Sequence, residues 1–302
     1  MIENALLERI HERLAAAVQP ARGAFTPLRI DGAVVGWLDD TRAARLARFG
    51  EVFRADDGAL KVVAALSSEP ARTEAMADVA RVLADEGLLT AWRDEAYAVA
   101  TSPGAAPAFM VERAAARYLG VLTQAAHVNG LIPHQGDIAM WLARRSTSKA
   151  IDPGLLDNLV GGGVRAGTTI EDTLRREAWE EAGITRSVIA RARPVGMVRL
   201  CREQPDGLQR EIIHIHDLRL PGNYIPECVD GEAIAHRLVD LTDAAELIAH
   251  DTGTDVVTAD ASLVILDCLF RHGEIAPDRP LSMALADLRW PPLTPGQRLP
   301  TH

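Results

Sequence analysis

The sequence predicts an α/β protein in two parts: a mixed sheet with helices packed on it, preceded by a smaller α+β N-terminal domain. The second half alternates strand-like and helix-like segments, the pattern of a sheet covered by helices. The chain has 302 residues, a comfortable length for two domains. Hydrophobic residues make up 48%, enough to bury a sizeable core and to set aside global disorder. The boundary is placed near residue 120, giving parts at 1–120 and 121–290 and an irregular tail at 291–302.

The elements follow in order. Ile2, Leu6, Leu7, Ile10, Leu14 and Val18 recur at helical spacing. PLRIDGAVVGWLDD alternates around Asp31-Gly32 and reads as a short hairpin. TRAARLARFGEVF and EPARTEAMADVARVLADEGLL read as helices, the second closing near Gly87. WRDEAYAVAT suits a strand, and SPGAAPA (102–108) is the strongest break signal of the first half. MVERAAARYLG reads as a helix leading into VLTQAAHVNGLI. DIAMWLARRS reads as a strand, and LLDNLV as an extended piece entering a glycine loop. An acidic helix is expected over about 169–182. ARPVGMVRLCRE and REIIHIHDLRLP read as strands paired around QPDG, and EAIAHRLVDL as a further strand. TDAAELIAH and DASLVILDCLFRHG read as helices, and the proline-rich chain from Ala276 as irregular.

Composition narrows the function. A net charge of −10, with no basic stripe, argues against a nucleic-acid binder. Cys201, Cys228 and Cys268 are far apart and form no CxxC pair, so neither a disulfide framework nor a cysteine zinc site is expected. Reduced thiols in a cytoplasmic protein are the plain reading. No apolar run reaches membrane-spanning length, and the charged, periodic N-terminus suits a helix better than a signal peptide.

The stretch LVGGGVRAGTTIEDTLRREAWEEAGI carries the chemistry. Thr168 or Thr169 can cap its helix, with Glu171 or Asp172 as the capping-box partner. Ile170, Leu174, Ala178 and Ala182 form a packing stripe. At about 100° per residue, Glu177, Glu180 and Glu181 fall within one arc beside that stripe. Like charges at this spacing repel. Acid-rich helix faces are commonly just solvated, but hard divalent cations want several carboxylate oxygens converging in one place. A glycine stretch lets backbone approach the same ions.

With Gly162, five residues, Thr168, seven residues and then REAWEEAGI, the stretch resembles the Nudix box. In that pattern a Glu stands where this chain has Thr168. The resemblance implies a Nudix α/β/α sandwich and hydrolysis of a diphosphate with Mg²⁺ or Mn²⁺. It further implies Glu177, Glu180 and Glu181 as metal ligands, the Gly161 carbonyl as an additional one, and Arg176 orienting the glutamates. One of the carboxylates, Glu177 or Glu181, could instead activate the attacking water.

PLRIDGAVVGWL, MVERAAARYLGVLTQAAHVNG, MWLARRSTSKAIDPGLLDNLVGGGV and ASLVILDCLFRHG together are similar to a wider Nudix subgroup. It has a distinctive N-terminal domain and is related to the Nudix part associated with thiamine pyrophosphokinases. The implied substrate is thiamine diphosphate or its oxy and oxo forms, cleaved to the monophosphate. The other readings are an ADP-ribose or dinucleotide pyrophosphatase and a sensor that binds without turnover. RRSTSK also resembles isopentenyl diphosphate isomerase, which implies Arg145 and Lys149 as phosphate contacts, with Gly162 beside the substrate. That enzyme has a cysteine where this chain has Gly161, so the isomerase reaction is disfavoured. The expected partner is a small-molecule diphosphate. Covering the site, setting specificity or making a homodimer are roles open to the N-terminal domain.

Other residues are weighed singly. His214 and His216 share a strand face without an evident third ligand. His127 and Asn129 are read as preceding the first Nudix strand, with a turn role for Asn-Gly. Asp230 and Glu232, Glu203 and Glu211 compete as a remote acid. Trp37, Trp92, Trp141 and Trp179 are read as packing residues, and Cys268 as a core thiol.

Overall fold

A computed structural model describes residues 1–18, 23–102, 104–277 and 279–296. Helix α1 (Asn4–Ala17) buries Leu7, Ile10 and Leu14 along one stripe. Strands β1 (Thr26–Ile30) and β2 (Ala33–Leu38) form the expected hairpin. Asp31 and Gly32 turn it with φ of 49° and 83°, the left-handed region that two-residue hairpin turns require. Helix α2 (Asp40–Leu46) starts at Asp39, whose carboxylate accepts from the Arg42 N–H at 2.8 Å. Strands β3 (Phe53–Asp56) and β4 (Ala59–Val62) complete a four-stranded sheet in the order β2-β1-β4-β3. Helix α3 (Glu69–Asp85) follows, then the hairpin β5 (Ala96–Ala100) and β6 (Pro107–Glu112), and helix α4 (Arg113–Tyr118). Leu28, Leu38, Phe53, Leu60, Met76, Leu83 and Phe109 lie in one apolar core.

The second sheet is built on β7 (Leu122–His134). Its neighbours are β8 (Asp137–Arg145), β9 (Leu156–Asn158) and β10 (Val160–Gly163). Helices α5 (Ile170–Ala182) and α6 (Arg186–Ile189) come next. Strands β11 (Arg193–Gln204), β12 (Gly207–Arg219) and β13 (Ala233–Asp240) follow, then helices α7 (Leu241–Leu247), α8 (Ala259–Arg271) and α9 (Pro280–Leu288). The order is β11-β12-β7-β8-β13, with β12 parallel to β7. Strand β7 changes partner along its length: residues 125–128 pair with β10, and residues 130–134 pair with β8. The split separates β8 from β10 at one end of the sheet and makes room there. Ala178 and Ala182 of α5 pack with Ala126, Val128 and Leu159. Helices α1, α7 and α8 bury their apolar stripes in a separate core with Leu142, Leu200 and Ile213. The result is a mixed α/β fold with helices on both sides of the sheet.

Several elements differ from the sequence reading. Helix α1 belongs to the first 120 residues in sequence, yet it packs with α7, α8 and α9. The segment 110–112 is the end of β6, and α4 begins only at Arg113, because Met110 and Val111 pair with Ala98 and Tyr97. The break signal 102–108 covers the connection between β5 and β6 and the first two residues of β6, with Pro103 outside the described residues. The chain after Ala276 is not all irregular: α9 forms with Pro280 in its first turn, where a missing N–H costs nothing. Residues 291–296 carry no regular element, and 297–302 lie outside the described residues. The glycines 161–163 are part of strand β10 and do not form a loop. His127 and Asn129 lie inside β7, buried at 6% and 1% exposure, so Asn129-Gly130 is not a turn.

Candidate active site

Helix α5 starts where the sequence expects it. Thr169 and Asp172 form a reciprocal capping box: the Asp172 N–H donates to Thr169 Oγ1 at 3.1 Å, and the Thr169 N–H to the Asp172 carboxylate at 3.2 Å. The helix stops at Gly183 in a left-handed conformation, φ 63°. Thr168 lies just outside and closes the preceding turn, its hydroxyl donating to the Arg165 carbonyl at 2.8 Å.

Each of the three glycines makes room for a different side chain. A Cβ on Gly162 would lie 2.0 Å from Glu177 Oε1. One on Gly163 would lie 1.8 Å from the Tyr97 hydroxyl, and one on Gly161 3.0 Å from the His127 ring. The strand has given up side chains because a helix carboxylate, a histidine and a tyrosine occupy the space above it. The His127 ring is fixed by a 2.7 Å contact between Nδ1 and Asn158 Oδ1.

Glu177 and Glu181 face inward, 6% and 9% exposed. Arg176 bridges Glu177 at 2.6 Å and Glu180 at 3.1 Å. Glu181 points the other way and accepts the Gly161 N–H at 2.9 Å. Burial pushes the Glu177 carboxyl above its ordinary range, against the pull of Arg176. Burial, reinforced by the Glu177 charge, pushes Glu181 well above it. Glu180 is the outermost of the three, its side chain 35% exposed. Among the described residues no three acidic, histidine or cysteine groups already converge tightly enough to hold a metal. The donor chemistry nevertheless fits a hard divalent cation. Two carboxylates are held in a desolvated place with more negative charge than Arg176 offsets, and a third stands on the same helix. Glu177, Glu180 and Glu181 are the residues that would hold it, next to Gly161.

A cavity opens beside the glycine strand, lined by Gly161, Gly162, Gly163 and Glu177. Arg145 and Lys149 also line it. Arg145, expected to contact phosphate, is tied into its own loop: it donates to Asp157 at 2.8 Å and to the carbonyls of Ile151 and Asp152 at 2.8 and 3.1 Å. Lys149 is paired with Glu232, which Arg93 also holds at 3.2 Å. Burial alone would raise the Glu232 carboxyl, but the Lys149 hydrogen bond and charge bring it below its ordinary range. Of the remote acids considered, Glu232 and Glu211 reach the cavity, while Glu203 and Asp230 do not line it. Glu211 accepts from Thr123 at 3.1 Å and Gln209 at 2.9 Å, and burial followed by Asp260 pushes its carboxyl up.

His214 is occupied by Gln124 at 2.9 Å, and His216 is buried; burial lowers both imidazoles. Trp179 and Trp92 are 52% and 38% exposed, so neither is the packing residue expected, whereas Trp141 packs against the core under α5. Cys268 is fully buried, its thiol pushed up to about 12 by burial. Sequence reasoning passed over Arg93, Tyr97 and Arg113, which come from the first half of the chain and line the same cavity. No local signal marks them: Arg93 and Arg113 sit near element boundaries like many surface residues, and Tyr97 reads as an ordinary inward-facing residue of β5.

Residues 123–260 match the family model described as a NUDIX domain, and residues 7–123 one described as a domain of unknown function, DUF4743. Nudix hydrolase 20, chloroplastic, of Arabidopsis thaliana is 35% identical over 265 residues, covering 85% of this chain and 70% of that protein. Nudix hydrolase 24, chloroplastic, of the same plant is 34% identical over 260 residues, with the same two shares. An uncharacterized protein of Saccharomyces cerevisiae is 31% identical over 201 residues, covering 62% of this chain and 57% of its own. With an intact REAWEEAGI helix folded against its glycine strand, the chain belongs to the Nudix hydrolase family and is a phosphoanhydride hydrolase of the pyrophosphatase type.

Proposed function

We propose that this hydrolase cleaves thiamine diphosphate, or its oxy and oxo forms, to the monophosphate, using Mg²⁺ or Mn²⁺ held by Glu177, Glu180 and Glu181. The observation that carries the reading is the charge pattern of the cavity. Seven carboxylates line it against five Arg or Lys side chains. An anionic wall repels a bare diphosphate, so that end of the substrate needs cations beside Glu177. At Glu211 and Asp260 the same wall suits a positively charged ring such as a thiazolium. A nucleobase, by contrast, is usually held on aromatic faces, and Tyr97 is the one phenylalanine, tyrosine or tryptophan among the lining residues.

When bound, the divalent cation neutralises phosphate oxygens and acidifies a nearby water. The chain's own groups do the positioning. Arg176 fixes Glu177 and Glu180 relative to each other, and the Gly161 N–H fixes Glu181. In place of holding the cation, one of Glu177 and Glu181 would take a proton from the attacking water.

The test is a screen with Mg²⁺ that separates and identifies the products from thiamine diphosphate and its oxidised analogues alongside ADP-ribose and dinucleotides: monophosphate plus phosphate from the thiamine series, and nucleotide monoesters without free phosphate from the others. The reading expects monophosphate from the thiamine series at the lowest KM. Turnover of ADP-ribose alone would replace it with the nucleotide reading, and tight binding without turnover would replace it with a sensor.

A further inference from the structure

The cavity has a roof that the Nudix box does not supply. Tyr97 of β5 is 7% exposed and lines the cavity, its hydroxyl in the space a Gly163 side chain would fill. That hydroxyl makes no hydrogen bond to any described residue. With no partner among those residues, the hydroxyl opens to the cavity, where its donor is free for a ligand. Arg113, the first residue of α4, lines the cavity beside it. One hydrogen bond, to Glu95 at 3.1 Å, occupies its guanidinium, which has five N–H donors. Arg145 and Lys149 are already committed to Asp157 and Glu232.

We propose that the N-terminal domain supplies diphosphate-binding groups of the active site, with the Tyr97 hydroxyl and the Arg113 guanidinium holding phosphate oxygens above the glycine strand. Arginine donates in a planar fork that matches phosphate geometry. Burial holds the Tyr97 phenol up to about 12, so it stays a neutral donor at any working pH. Glu177, at the end of the cavity where the resemblance puts the metal, favours the protonated form of both groups. The N-terminal domain is therefore part of the catalytic pocket, and a box-bearing fragment from residue 121 onward lacks half of its phosphate site. This holds whichever organic group the diphosphate carries.

The experiment uses the full chain with Mg²⁺ and methylenediphosphonate, a diphosphate that cannot be hydrolysed, titrated calorimetrically. Thermal melting without ligand is recorded for each variant. Arg113→Met should weaken binding roughly tenfold or more, as for a lost hydrogen bond to a charged group. Arg113→Lys should recover part of that loss, and Tyr97→Phe should weaken binding several-fold, with melting temperatures close to the unmodified chain. Unchanged affinity in Arg113→Met and Tyr97→Phe overturns the proposal. So does absence of binding by the unmodified chain, or a loss that follows falling melting temperature and is not restored by lysine. Failure of the thiamine series in the substrate screen leaves this result untouched.

Discussion

The two larger sheets of the molecule bury very different interiors. In the N-terminal sheet and its helices the core is apolar, and Arg72 is the one charged side chain buried there among the described residues. It is satisfied by the Leu66 carbonyl at 2.8 Å and Asp31 at 2.7 Å. The second sheet buries His127, Asn129, Asn158, Glu177 and Glu181 where its strands split. Buried polar and charged groups are costly; the second half carries this set at the box and others, such as Arg202, Arg210 and Asp267, away from it. The first half is a conventional platform whose edge presents Arg93, Tyr97 and Arg113, and the second half bears the cost of the chemistry.

That contrast can be broken most sharply at the helix. Glu180→Gln should reduce metal-dependent hydrolysis at least about a hundredfold, since a bound divalent ion is worth several kcal/mol to such a reaction. Circular dichroism and melting should stay as before. Persistent turnover would move the ligand role away from Glu180.

The next effect is on stability against pH in the absence of metal. Glu177 and Glu181 have folded-state values raised above the ordinary 4.5. The stability they contribute is therefore present below that value and is lost as pH rises through the raised one. With EDTA present, the melting temperature should fall between mildly acidic and neutral pH, with a slope of at most about 1.4 kcal/mol per pH unit for each group. Glu181→Gln should flatten the slope and raise the neutral-pH melting temperature, and Mg²⁺ should do the same for the unmodified chain. Identical pH profiles for the two proteins would remove the buried-charge account.

A pair of glycine substitutions compares the two halves directly. Gly163→Ala should cost roughly 1–3 kcal/mol by overpacking against Tyr97 and should lower activity. Gly58→Ala, in an open turn at φ 68°, should cost about 1 kcal/mol through backbone strain alone and leave activity intact. Equal activity losses would show that the glycine strand has no special tie to the site. The smallest change expected is from Thr168→Glu, within about 0.5 kcal/mol at this exposed position, with activity kept or raised. A large drop would mean that the turn closed by the Thr168 hydroxyl is required as it stands.

Much of the architecture was legible in the chain. The α1 stripe, the Asp31-Gly32 hairpin, the Thr169 cap and the paired β11 and β12 all rest on short-range rules of spacing and turn chemistry. Misreadings arose where partners are distant. Met110 and Val111 look helical but are captured by β5, and 161–163 looks like a loop but is held by β7. Asn129-Gly130 carries a turn signal, yet it is buried between β12 and β8.

The same division runs through the candidate site. Placing three glutamates on one helix face is a property of a 3.6-residue period and a capping signal, and both are written locally. Which of the three is buried, why each glycine must lack a side chain and which cations are already spent depend on side chains far apart in sequence. Tyr97 meets Gly163 only because the β5-β6 hairpin folds against the large sheet, and Lys149 meets Glu232 only because β8 and β13 pair. Close approach and desolvation are set by packing in three dimensions, and no local pattern encodes them.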